Sequence, residues 1–307
     1  MDPLNVSGFS KIILAVDGSE NSKSATALLN RLPLPSECTI TVLAVLDTPH
    51  TPRRQILLAA LEGACTILKT QGHKVEFGLL HGHPAATLTE FADNYRPNLI
   101  ILGAKGLRAT LGIFLGGVAQ QLVEYAHWPV LIVRPQSPDI HNILIALDGS
   151  EYSQQALEYL FTFPYLSNVK YHVVHVVPPL PSYESGNIPR SWLIGTEVFQ
   201  VPPVDMDKYN QDLHVKDEAK GESILEQAKN LLQSHGIYAE TFLLHGDAAT
   251  EILEYSKNNL IDLIVVGSRG LSEVRGWLLG SVSRKLVHYA IASVLIVKQF
   301  KTDEIKI

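Results

Sequence analysis

The strongest constraint on this chain is an internal repeat. Ile13 to Glu20 reads ILAVDGSE, and Leu144 to Glu151 reads LIALDGSE. His81 to Leu88, HGHPAATL, returns as HGDAATEI at His245 to Ile252, and Asn98 to Gly106, NLIILGAKG, returns as DLIVVGSRG at Asp262 to Gly270. Each copy closes on a strand-like run, PVLIVRP from Pro129 and SVLIVKQ from Ser293. Repetition of whole motifs in one order makes each copy a folding unit, and 307 residues divide naturally into two domains of about 150. The boundary falls in the polar, proline-containing link RPQSPDIH at Arg134 to His141, giving domains 1–137 and 138–307.

Within each copy short β-branched runs alternate with stretches of helical period, the pattern of βαβ units. Strands are predicted near Lys11 to Val16, Thr39 to Leu46, Lys74 to Leu80, Asn98 to Gly103 and Pro129 to Arg134. The second copy predicts them near Asn142 to Leu147, Lys170 to Val177, Tyr238 to Leu244, Asp262 to Gly267 and Ser293 to Lys298. The expected fold is therefore α/β, two Rossmann-like, doubly wound five-stranded parallel sheets with strand order 3-2-1-4-5.

The spacing of the repeat is uneven. Its first motif recurs at an offset of 131 (13 to 144) and the later ones at 164 (81 to 245), so the second copy carries 33 extra residues, 164 minus 131. They fall at 178–214, after its second strand, with six prolines and the aromatics Tyr183, Trp192, Phe199 and Tyr209. A loop this long in a compact domain is functional or disordered as a rule, and its exit from the carboxyl end of the sheet points to a lid, or a flap onto the neighbouring copy, with a disordered segment or a partner-binding loop as the alternatives.

Ligands of open α/β sheets bind beyond the carboxyl ends of the strands where the winding reverses, here after strands 1 and 4. Asp17 and Asp148 follow strand 1, and glycine loops starting at Gly103 and Gly267 follow strand 4. In the second loop Gly267 and Gly270 are followed by Gly280 and Ser281 at a helix start, where free N–H groups, the helix dipole and a hydroxyl suit phosphate. A glycine turn and a serine cap are the plain alternative. Arg269, Arg275, Arg284 and Lys285 crowd this loop and either balance phosphate or form a solvated basic face. The aspartates are equally readable as bases or as structural groups at a strand-to-helix turn beside Ser19 and Ser150.

The ordered set of Asp148, Gly267-x2-Gly270-x9-Gly280-Ser281 and a final VLIV strand resembles the universal stress protein family, and nearly the whole chain resembles a tandem member. The resemblance implies an adenine-nucleotide-alpha-hydrolase-like fold and, for ATP-binding members, ATP, with Mg²⁺, across the switch point. Because domains of the family often pair through their last strands, it also implies an intrachain pseudo-dimer through Val130 to Val133 and Val294 to Val297, which keeps an apolar edge from inviting aggregation; a further homodimer is left open. Carried over by position, Ala146 lies at the site, Asp148 meets the adenosine portion, Val176 the adenine, Gly267 and Gly270 the ribose and phosphates, and Gly280, Ser281 and Val282 the phosphate chain. In the first copy Asp17, Gly103, Gly106 and Gly116 match, but Gly117 stands where Ser281 would, so that site is expected to be weaker or empty. The expected function is a stress-response or signalling module worked by nucleotide occupancy. A slow Mg-dependent ATPase or phosphotransfer enzyme, and a structural member that binds no nucleotide or takes AMP or another small ligand, are the rivals. A pyrophosphate-forming ligase does not fit, because DGSE replaces a Ser-Gly-Gly loop after strand 1 in both copies.

Other signals narrow the classes. A net charge of −6 opposes general nucleic-acid binding, and the longest apolar runs, Leu99 to Leu102 and Leu263 to Val266, fall far short of the roughly 20 residues that span a bilayer. The N-terminus lacks the basic start and cleavage site of a signal peptide, so a cytoplasmic location is expected. Cys38 and Cys65 read as small buried hydrophobes. No metal site is expected: His81 and His83 sit at a strand end, and His172 and His175 fall on opposite strand faces. The Walker, HExxH and GxSxG patterns are absent.

Overall fold

A computed structural model describes residues 9–47, 51–107, 115–135, 139–164, 169–179, 206–271 and 279–298. The first half runs β1 (Lys11–Ala15), α1 (Glu20–Arg31), β2 (Thr39–Leu46), α2 (Thr51–Thr70), β3 (Lys74–His81), α3 (Pro84–Tyr95), β4 (Leu99–Gly103), α4 (Gly117–Tyr125) and β5 (Val130–Val133). The second repeats it as β6 (Asn142–Ala146), α5 (Glu151–Tyr159), β7 (Lys170–Val177), α6 (Met206–Ser234), β8 (Ala239–His245), α7 (Ala248–Asn258), β9 (Leu263–Gly267), α8 (Ser281–Tyr289) and β10 (Ser293–Val297). Every predicted strand is present, with ends shifted by one residue at most. The run from 180 to 205, most of the insertion, lies outside the described residues; its last part, 206–214, forms the first turns of α6, which has 29 residues against 20 for α2.

The halves share one sheet rather than holding two. Its order is β3-β2-β1-β4-β5-β10-β9-β6-β7-β8, so each half keeps the 3-2-1-4-5 winding and the last strands meet in the middle. All pairings are parallel except the seam, where Val130, Leu131 and Ile132 face Ile296, Leu295 and Val294 in antiparallel register. A two-fold repeat requires this direction: rotating one half onto the other reverses its final strand. The pairing turns two exposed apolar edges into interior strands.

Strand alternation sends odd and even positions to opposite faces, and each face carries one core that crosses the seam. Leu131 and Leu295 join the layer under α1, α2, α5 and α6, while Val130, Ile132, Val294 and Ile296 join the layer under α3, α4, α7 and α8. Cys38 and Cys65 are buried free thiols, and burial pushes Cys38 up to about 12, which fits the reading as inert hydrophobes.

The last strands also carry a reciprocal clasp. Arg134 follows β5 and donates from Nη2 to the Val287 carbonyl at 2.6 Å, near the end of α8; Lys298 follows β10 and donates from Nζ to the Val123 carbonyl near the end of α4. A cation at a helix carboxyl end is favoured by the dipole, yet both groups are buried. Burial, with nearby Arg269, brings Lys298 down to about 8 against an opposing pull from Glu124. Between that value and the ordinary lysine value the unfolded chain binds more protons than the folded one, so stability rises with pH across this window. Measured by urea denaturation from pH 7.5 to 10.5, the stability of the wild type relative to Lys298→Met is expected to shift by about 3 kcal/mol in favour of the wild type. A difference that stays flat with pH would contradict the burial of a charged amine.

Candidate functional site

The DGSE motif that opens the repeat folds the same way in both halves. The strand ends, Asp17 or Asp148 follows, and Gly18 and Gly149 take the left-handed backbone that glycine alone adopts freely, φ 87° and 78°. Ser19 and Ser150 then cap the next helix by accepting from the N–H of Ser22 and Ser153, and Glu20 and Glu151 sit in its first turn beside the dipole's positive end.

Both aspartates clasp the two sides of the crevice together. Asp17 accepts from the Ser19 N–H at 3.0 Å through one oxygen and from the Leu107 N–H at 2.9 Å through the other. Asp148 accepts from the Ser150 N–H and hydroxyl at 2.9 and 2.5 Å, and from the Leu271 N–H at 3.2 Å. The loop after strand 1 is thereby tied to the loop after strand 4. This is a positioning role, and it explains Gly106 and Gly270: a methyl group at either would run into the Asp17 or Asp148 carboxylate.

The first glycine of each loop has a different reason from the expected close approach of phosphate. A side chain at Gly103 would lie 2.5 Å from the Asn21 carbonyl carbon, and one at Gly267 2.6 Å from the Tyr152 backbone, so both are filled by the start of α1 or α5. They let the helix dock on the strand end.

The last pair of glycines borders the crevice. Gly116 and Gly280 are the N-caps of α4 and α8, and their N–H groups bond the Ala104 and Ser268 carbonyls at 2.8 and 2.7 Å. Neither helix has a side-chain cap, whereas α1, α5 and α7 are capped by Ser19, Ser150 and Asp247. The first N–H groups of α4 and α8 thus keep donors free for an anion. Ser281 is exposed at the first position of α8, with Val282 half-buried behind it, and Ser283 ties the helix down by donating to the Gly267 carbonyl at 2.7 Å.

In the first half these elements surround a cavity of about 510 Å³, within the range of about 300–1,000 Å³ for small-molecule sites. Val45, Leu102 and Leu115 give it an apolar wall, Asp17, Gly103, Gly106, Gly116 and Gly117 its rim, and Lys105 and Arg53 its positive charge. Arg53 holds Nε 3.4 Å from Asp47. Gly117 is exposed, and nothing lies within 4 Å of where a side chain would begin. In the second half Asp148 meets the turn at Gly270 and Leu271, Gly280 bonds the Ser268 carbonyl ahead of Ser281, and Ala146 and Val176, at the offset of 131, are the counterparts of Ala15 and Val45, which line the first cavity. Residues 272–278 of that loop lie outside the described residues.

The basic residues of the second loop are mostly engaged with protein groups. Arg269 donates to the Tyr152 hydroxyl at 3.3 Å, Arg284 stands 3.9 Å from Glu124 of the first half, and Lys285 stands 3.4 Å from Asp247. Asp247 is held below its ordinary value chiefly by the Thr250 hydroxyl and N–H, with Lys285 adding to both. Arg275 lies outside the described residues. His172 meets the Tyr255 hydroxyl at 2.9 Å on one face of β7, and His175 the Leu147 carbonyl at 2.8 Å on the other, the opposite placement their spacing predicts. Burial lowers His172 below its ordinary value.

A doubled, doubly wound α/β sheet with an aspartate-clasped crevice at its winding reversal places the chain in a class of tandem α/β-sheet proteins. A universal stress protein family model matches residues 8–134 and again 139–298, so the chain belongs to that family and carries its domain twice in tandem. It is similar to the universal stress protein YxiE of Bacillus subtilis, 34% identical over 158 residues, which is 52% of this chain and 99% of that protein. A universal stress protein structure from Archaeoglobus fulgidus superposes with a TM-score of 0.64 at 19% identity, covering 95% of this chain and 97% of that one. One described as a putative universal stress protein from Pseudomonas aeruginosa gives 0.66 at 14% identity, covering 98% and 96%; these two likenesses show the fold. Among the described residues no helix is long and apolar enough to cross a membrane.

Proposed function

We propose that this chain is an adenine-nucleotide-binding module, with ATP as the ligand and Mg²⁺ carried on its phosphates, that signals through its occupancy. The observation that supports this most is the pair of glycine-started, side-chain-uncapped helices, α4 and α8, at the crevice of each half. An anion there receives main-chain N–H bonds and the dipole's positive end without a Walker lysine. The apolar wall of the first cavity suits a base, and Ala146 and Val176 take the matching places in the second half. Mg²⁺ would be bound mainly through phosphate oxygens and water, as is usual for this ion with nucleotides.

The clasping role of Asp17 and Asp148 favours a binding module over the ATPase reading. Their oxygens are occupied with main-chain N–H groups, and a change there alters the crevice itself. The deciding experiment is to denature the purified protein, identify the nucleotide it releases, and follow ADP production by the intact protein for hours. Retained ATP with negligible ADP supports the module. Steady turnover supports the enzyme, and release of no nucleotide, with no binding of added ATP, removes the reading.

The two sites are expected to differ through one hydroxyl. Ser281→Ala should weaken ATP binding in the second half by about 1–2 kcal/mol, while Gly117→Ser, where a side chain meets nothing, should strengthen the first site by about as much. Isothermal titration of the two variants reads both changes; equal affinities in the wild type would contradict the asymmetry.

A further inference from the structure

Away from the crevice three metal-ligating side chains converge at the outer edge of the second half. His214 and Glu218 are four residues apart on α6 and so share a face. His245 is the last residue of the edge strand β8, on which α6 packs. One oxygen, Glu218 Oε1, lies 3.4 Å from His214 Nε2 and 3.1 Å from His245 Nε2, and the three donor atoms all fall within 4.8 Å of one another. Donors held about 2.0–2.2 Å from a tetrahedral ion are about 3.3–3.6 Å apart, so the 3.4 Å edge already has that length, the 3.1 Å edge is slightly short of it, and the third lies within 4.8 Å. His214 Nδ1 is buried without a hydrogen-bond partner, which leaves its ring uncommitted to another role.

We propose that His214, Glu218 and His245 form a binding site for a zinc-class divalent cation. Two imidazoles and one carboxylate are a ligand set suited to zinc, and three protein ligands leave a fourth position for water or an exogenous donor. All three side chains are partly exposed, at 37%, 39% and 50%, which gives the ion a way in. The site belongs to the second half alone: at the later offset of 164, Glu218 corresponds to Arg54, a cation where the first half would need a carboxylate. Its consequence is mechanical. An ion here pins the early turns of α6 to the strand end that leads through Gly246 into Asp247, the N-cap of α7. The equivalent first-half position, His83, lines the cavity, so the ion would sit two residues from the rim of the second crevice.

The spacing was hard to see in the sequence, since His214 ends the stretch read as a loop and His245 lies 31 residues further on. An HxxxE pair would have stood out only once the helix was known to begin at Met206.

The test uses the full chain, stripped of metal and nucleotide, so that its outcome does not depend on ATP binding. Titration with Zn²⁺ should give one equivalent per chain, and Co²⁺ should give the intense visible absorption of a low-coordinate site. Glu218→Gln and His245→Ala should each lower Zn²⁺ affinity more than about tenfold while circular dichroism and melting of the metal-free protein stay unchanged. The double variant His81→Ala/His83→Ala should keep the full affinity. Failure of the wild type to bind, binding that survives Glu218→Gln, or loss of binding in the His81/His83 variant would each overturn the assignment.

Discussion

Leu131→Asp is expected to destabilise the whole chain by more than about 4 kcal/mol, and to do so for both halves in a single transition. Leu131 is fully buried in the middle of the antiparallel seam, opposite Leu295, with sheet neighbours on both sides. A carboxylate there has neither water nor a cation partner to face, and burying an unpaired charge is among the few single changes that exceed the ordinary range. Against a total of about 5–15 kcal/mol the loss leaves a marginal protein. Because each core layer continues across β5 and β10, the damage is not confined to 1–137. Urea denaturation followed by both circular dichroism and tryptophan fluorescence checks this, and Leu131→Ala sets the scale at about 2–5 kcal/mol. An aspartate variant that unfolds in two separated steps, the later one at the wild-type midpoint, would show that the halves are energetically independent.

The strand pattern was legible because it is a local property. Runs such as Leu99 to Gly103 and Leu263 to Gly267 are buried on both faces and so read as continuous apolar stretches with turn signals at either end. The seam was legible through the family resemblance, which implies pairing of last strands, and through the apolar VLIV run, which would be a hazard as an exposed edge. The single ten-stranded sheet follows from that pairing. What the sequence could not show was which group fills the space beside a glycine. Gly103 and Gly267 look like phosphate-loop residues, yet their missing side chains are replaced by the backbone of Asn21 and Tyr152. Arg269 and Lys285 look like phosphate ligands in a basic run and instead meet Tyr152 and Asp247, contacts made through space across 117 and 38 residues. The two readings left open for Asp17 and Asp148 could be narrowed only once the N–H groups of Leu107 and Leu271 were seen to point at them.

Gly270→Val is expected to lower ATP affinity in the second half by about a hundredfold while the chain stays folded. The new side chain enters the space of the Asp148 carboxylate, which then cannot reach the Leu271 N–H. With that bond gone the loop after β9 is no longer fixed to the turn after β6, and a shift of about 1 Å in a positioning element is enough for an effect of this size. Gly270 lies in a loop outside both core layers, so the fold should lose only the worth of the clasp, about 1–2 kcal/mol. Gly106→Val should do the same to the first half through Asp17, whereas Gly117→Ala, which meets nothing, should leave both sites as they are. Titration calorimetry and thermal melting on the three variants separate the cases, and unchanged affinity in Gly270→Val would mean that the clasp does not shape the ligand site. The same geometry limits what Asp148→Asn can reveal. Its amide would turn a donor toward the Leu271 or Ser150 N–H, so loss of any turnover in that variant reports a disturbed crevice as readily as a missing base.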